Sequence, residues 1–138
     1  MVHPNSLFHT EVVNDKGLHG DAFVKNGGLK VTISDPLTSA PGTNPEELLG
    51  LSLSTCLNAT IQALLKGRGL DNKSKVEVQV DMVPEEKGGY FFNVDVLATI
   101  EDMPFEKADR IVQSAEKRCP VAKLMSSSKT LTVKTIAS

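Results

Sequence analysis

The stretch GTNPEELLGLSLSTC, Gly42 to Cys56, decides how the rest of the chain is read. Asn44 is a natural N-cap, and Pro45 suits the first helical position, where an amide hydrogen would have no partner anyway. Glu46 and Glu47 fall in the first turn, where negative charge complements the helix dipole. Leu49, Leu53, Cys56, Thr60 and Leu64 then recur at helical spacing, with Leu57, Ile61 and Leu65 beside them. An apolar surface this wide predicts a helix buried on more than one side. It should end near Gly67 or Gly69. One of only two cysteines therefore lies in the middle of a long helix.

Working outward, the residues before this helix read as strands and turns. His9 to Val13 (HTEVV) leads into the turn NDKG, and Asp21 to Lys25 (DAFVK) runs into Asn26-Gly27-Gly28. Asn-Gly between apolar runs is a strong hairpin signal. Leu29 to Ser34 alternates apolar and polar, so the three segments predict a small antiparallel meander. Asp35 to Pro45, with three prolines and a glycine, reads as a loop.

Beyond the helix, Lys75 to Val83 and Tyr90 to Ile100 alternate around a charged Gly-Gly turn, predicting a second hairpin. Pro104 to Arg118 is amphipathic, with Phe105, Ala108, Ile111, Val112 and Ala115 on one side. Cys119-Pro120 interrupts it, and Pro120 fits the start of a short helix reaching Met125. Thr130 to Ile136 reads as a closing strand. Strand runs and helix runs without regular alternation indicate an α+β fold. The 138 residues fit a single domain, 1–138, able to bury a core without disulfides or metal.

Bulk properties narrow the function. The formal charge is −2 and the aromatic content 4%, so neither a basic footprint nor stacking surface for nucleic acid is present. No polybasic membrane contact, no signal-peptide pattern and no run of about 18 consecutive apolar residues is seen. A cytoplasmic location is expected, with both cysteines reduced at rest.

Cys56 alone reads as a small buried hydrophobe. Cys119, at a helix break beside Arg118, adds the alternative of a redox pair, which needs an attacking thiolate and a nearby resolving thiol. Both readings stay open on the residues alone. Glu46 reads first as a helix-capping charge. Ten residues of helix place it about 15 Å from Cys56 along the axis. For both to serve one site, the helix must start later or Glu46 must act across a dimer interface. His3, His9 and His19 have no ligand spacing to a cysteine, so no zinc site is expected. Ser126 to Ser128 reads as a polar loop.

GTNPEELL, Cys56 ten residues after Glu46, and CPVAK from Cys119 together resemble the OsmC/Ohr family, named for osmotic induction and organic hydroperoxide resistance. The likeness runs from the Gly17 region to the last strand. It implies an intertwined α+β homodimer with antiparallel strands around a long central helix and active sites at the interface. It implies a thiol peroxidase acting on organic hydroperoxides, with no metal, haem or flavin cofactor. Cys56 matches the peroxidatic cysteine, which becomes a sulfenic acid. Cys119 matches the resolving cysteine, and a dithiol such as a lipoylated protein reduces the resulting disulfide. Glu46 matches the carboxylate that holds a catalytic arginine.

That arginine is missing from both places the family keeps it. The early Gly-Arg-x-Gly turn is Gly17-Leu18-His19-Gly20 here, and Thr32 to Pro41 (TISDPLTSAP) contains none. Helix-dipole effects fade beyond the first turn, so a mid-helix thiol needs a cation to ionise it. Arg68, Arg110, Arg118, Lys25 and His19 are the candidates. The departure supports an alternative: a redox-sensing or small-molecule-binding relative without efficient peroxidase turnover.

Overall fold

The computed structural model describes residues 2–138. Its elements are β1 (Val12–Val13), β2 (Asp21–Val24), β3 (Lys30–Thr32), α1 (Pro45–Gly67), β4 (Ser74–Pro84), β5 (Tyr90–Ile100), α2 (Phe105–Arg118), α3 (Pro120–Leu124) and β6 (Leu131–Thr135). They form two compact units, Met1–Pro45 and Glu46–Ser138.

The first unit is the expected meander, an antiparallel sheet ordered β1-β2-β3. Asn26 and Gly27, at φ of 63° and 79°, make the turn between β2 and β3. Positive φ at both central positions is what a type I′ hairpin demands. Of the expected first strand, Val12 and Val13 pair with Val24 and Phe23, and the Glu11 carbonyl continues the ladder by accepting from Lys25 N–H at 2.9 Å. His9 and Thr10 are exposed, so nothing apolar draws them into the sheet. The following loop is tied down where Ser34 N–H donates to the Thr43 carbonyl at 2.9 Å. Gly42 there has a φ of +146°, and a Cβ on it would sit 3.0 Å from the Ser34 backbone nitrogen, so only glycine fits.

The second unit holds the core. α1 begins at Pro45, with Asn44 immediately before it. Its last turn closes as a Schellman motif: Leu70 N–H donates to Leu65 O at 2.9 Å and Gly69 N–H to Lys66 O at 3.0 Å, with Gly69 at positive φ. Leu53, Leu57, Ile61 and Leu65, four residues apart, form its buried stripe. On length and hydropathy α1 could also cross a membrane, a property hidden from any count of consecutive apolar residues by its Ser, Thr, Asn and Gln. Here its stripe packs inside the protein.

β4, β5 and β6 form the second sheet, with β5 central. The register pairs Val76 with Ala98, Val78 with Val96 and Val80 with Val94, placing one apolar row on a single face. β6 pairs with β5 in parallel, Val96 opposite Val133. A parallel return needs a crossover, which α2 and α3 supply. α2 contributes Ala108, Ile111, Val112 and Ala115 to the core, while Phe105 at its first position stays 45% exposed. Gly50 of α1 faces β4 across ordinary space: a Cβ there would meet Val80 and Val78 at 3.8–4.0 Å.

Candidate active site

Cys56 sits in the middle of α1, half-buried between Leu53 and Leu57 of the core stripe. The Thr60 hydroxyl donates to the Cys56 carbonyl at 2.9 Å. The 23-residue helix is continuous through this point, so the thiol is carried on a rigid element.

Cys119 has an opposite setting. It is fully buried and ends α2, its N–H donating to the Ala115 carbonyl at 2.8 Å. It also opens α3: its carbonyl accepts from Lys123 N–H at 2.9 Å, and its sulfur accepts from Ala122 N–H at 3.5 Å. Pro120 occupies the first position of α3, where the ring costs no hydrogen bond. The break between α2 and α3 thus turns the chain and presents a sulfur at the same residue.

The two cysteines are neighbours, and both are free thiols. Burial pushes the Cys119 thiol up from its ordinary range, because charge is costly away from water. The adjoining Cys56 pushes it further, since a second thiolate would be repelled and the Cys119 proton is held towards its neighbour. The amides of Ala122 and Val121 act against this by donating to the sulfur. Cys119 is therefore kept protonated, an S–H poised beside Cys56.

Glu46 lies in the first turn of α1 and is half-buried. The helix starts at Pro45, which removes the possibility of a later start, and about 15 Å of helix separates Glu46 from Cys56. The Glu46 carboxylate has no ion pair or hydrogen bond within its own chain among the described residues. It borders an open groove of about 460 Å³ floored by Val76, Val78 and Val80.

Two of the histidines have local partners. The His3 ring accepts from Asn5 N–H at 3.1 Å, and His9 pairs with Glu11 at 3.2 Å. His9 and then Lys25 hold the exposed Glu11 carboxyl below its usual range. Among the described residues no cluster of three His, Cys, Asp or Glu could hold a metal.

A second groove, of about 360 Å³ and foreshadowed by no motif, opens at the far end of α3. Leu49, Phe92, Leu124 and Met125 line it together with Ser127 and Ser128 of the expected polar loop. Leu49 precedes Cys56 by two helical turns, on the same side of α1. The polar composition of the serine run concealed its position beside apolar side chains.

The sequence profile of the OsmC-like protein family matches residues 38–134, a span that includes α1, both cysteines and all but the last residue of β6. The chain belongs to the OsmC-like family. Organic hydroperoxide resistance protein OhrB of Bacillus subtilis is 28% identical over 122 residues, covering 86% of this chain and 90% of that protein. The crystal structure of B. subtilis OhrB superposes with a TM-score of 0.83 at 26% identity, covering 96% of this chain and all of that one. A crystal structure from Lactobacillus casei, provisionally named a redox protein, gives a TM-score of 0.91 at 40% identity over 98% and 94% of the two chains. The α+β fold is thus the OsmC fold.

This OsmC-like protein has three arginines, Arg68, Arg110 and Arg118, and all are exposed. His19, in the turn that matches the family's early arginine position, is exposed as well. Lys25 is engaged with Glu11 at 3.3 Å. No cation is among the groups acting on Cys119, which are burial, Cys56 and two backbone amides.

Proposed function

We propose that this OsmC-like protein is a cytoplasmic, homodimeric thiol peroxidase that reduces organic hydroperoxides through Cys56 and Cys119. The observation that carries the proposal is the adjacency of the two thiols: one half-exposed on a rigid helix, the other buried and protonated. The names of its curated relatives, organic hydroperoxide resistance proteins, support the substrate class. The Cys56 thiolate attacks the outer peroxide oxygen. The O–O bond breaks, the alcohol leaves with a proton, and Cys56 becomes a sulfenic acid. The Cys119 sulfur then attacks the Cys56 sulfur, the S–O bond breaks, and water leaves as the disulfide forms. A dithiol such as a lipoylated protein returns both thiols and is itself oxidised. No cofactor enters the cycle. Glu46, too far along its own helix from Cys56, orients a basic group at the site of a second copy. Neither nucleic acid nor membrane is a partner in this reading.

Stopped-flow oxidation by cumene hydroperoxide, with Cys56→Ser and Cys119→Ser controls, tests the cycle. Peroxide consumption unaffected by Cys56→Ser would refute it.

The missing arginine favours a second reading: a redox sensor or binding protein that keeps the thiol pair without efficient turnover. Peroxide consumption with a dithiol in excess separates the two. An enzyme turns over many times per protomer, whereas a sensor stops after one slow, stoichiometric oxidation.

A further inference from the structure

The two thiols are also a ligand set. Cys56 and Cys119 are free and in contact. Cys119 belongs to the hydrophobic core of the second unit, and Cys56 packs against that core. Each backbone is fixed, one inside α1 and the other by the bonds to Ala115 and Lys123. A soft atom that bridges both sulfurs therefore orders little that is not already ordered. The half-exposed Cys56 gives it a way in. What the pair lacks selects the ligand. Among the described residues no group of three His, Cys, Asp or Glu could join in holding an ion. Zinc wants four ligands and finds two. Cu(I) accepts two thiolates, but in a line that would drive touching sulfurs apart, and the product carries a negative charge into an apolar cluster, where charge is costly. Trivalent arsenic meets neither obstacle. Its bonds all point to one side, so two sulfurs on it stay close together, and the product is uncharged.

We propose that Cys56 and Cys119 together bind trivalent arsenicals, with one arsenic bridging both sulfurs. With phenylarsine oxide, the arsenic bonds first to the accessible Cys56 sulfur and then to its buried neighbour. Two As–S bonds form, the arsenic-bound oxygen takes both thiol protons, and it leaves as water. Arsenic stays trivalent and neither sulfur is oxidised, so the step needs no other reactant. Capture needs no peroxide, yet it occupies both atoms of the proposed cycle, so the bound arsenical would halt peroxide reduction.

Intact-mass measurement of the reduced full chain, treated with phenylarsine oxide in excess 2-mercaptoethanol, tests it. The protein should retain one phenylarsenic group per chain, and 2,3-dimercaptopropanol should remove it. Iodoacetamide added to the adduct after unfolding should find neither cysteine free. Cys56→Ser and Cys119→Ser should each hold the group about 10²-fold or more weakly, because the second bond is no longer made within the same molecule. Circular dichroism checks that the variants fold. The labelling of the unaltered protein reports on both thiols whether or not they do. A group washed out of the unaltered protein by the monothiol, equal retention by either variant, or a Cys119 left free in the adduct would overturn the proposal. Failure of the untreated protein to consume cumene hydroperoxide would count against the peroxidase cycle alone.

Discussion

Cys56 and Cys119 meet in one place but are held there by contrary means. Cys56 rides on 23 residues of unbroken helix, where every neighbouring turn resists displacement. Cys119 sits where two helices stop and start, its backbone pinned by Ala115 and Lys123 and its buried sulfur receiving the Ala122 N–H. The contrast suits the division of labour. In the proposed cycle, the residue that meets substrate needs a fixed position and access, while its resolving partner needs protection.

The largest break in this comparison comes from removing each sulfur. Cys56→Ser should lower peroxide consumption by about 10³-fold or more, because the nucleophile itself is lost. Cys119→Ser should leave one rapid oxidation per protomer, trappable as a sulfenic acid by dimedone, and abolish disulfide-linked turnover. Equal loss of the first oxidation in both variants would erase the assigned roles.

The rigid side of the comparison can be tested through packing. Leu57, adjacent to Cys56 in sequence, is fully buried in the core stripe. Leu57→Ala should cost about 2–5 kcal/mol in urea unfolding, from lost burial and the cavity left behind. A loss under 1 kcal/mol would mean that α1 is not clamped as described.

The buried side has a pH signature. Cys119 is raised in the folded protein, so the fold binds its proton more tightly than the unfolded chain does. Its contribution is complete below the unfolded thiol range, and it is lost as pH climbs from about 8.5 through the folded value. Stability should therefore decline in alkaline solution with a slope of at most about 1.4 kcal/mol per pH unit from this group. Cys119→Ser should flatten that decline, as urea midpoints across pH 8–10 would reveal.

The smallest effect belongs to Gly50. A methyl group there would make ordinary contact with Val80 at 3.8 Å. Gly50→Ala should stabilise α1 by roughly 0.5–1 kcal/mol through helix propensity and leave Cys56 oxidation unchanged.

Much of this arrangement is legible in the residues. Asn26-Gly27, Pro45 with its two glutamates, and the strict alternation in β4 and β5 each encode their conformation within a few positions. What escapes is non-local. Nothing in TLTVKTI specifies that β6 runs parallel to β5, because that depends on where α2 and α3 return the chain. The adjacency of Cys56 and Cys119 escapes periodicity for the same reason, and family resemblance supplied it instead. Likewise, His9 and Thr10 have a strand-like composition, yet no apolar face holds them to the sheet. Glu46 is the reverse case, since its distance from Cys56 follows from helix rise alone.

The two sulfurs are 63 positions apart in the chain, counted as 119 minus 56. A crosslink closing so long a loop removes much of the freedom available to the denatured protein, about 4 kcal/mol on the chain-entropy estimate. Oxidation should then make the whole fold harder to melt, which thermal unfolding of the reduced and the disulfide-bonded protein would compare. A protein of this design would be at its most durable while oxidised, which is when oxidants threaten the cell and a reductant has yet to arrive.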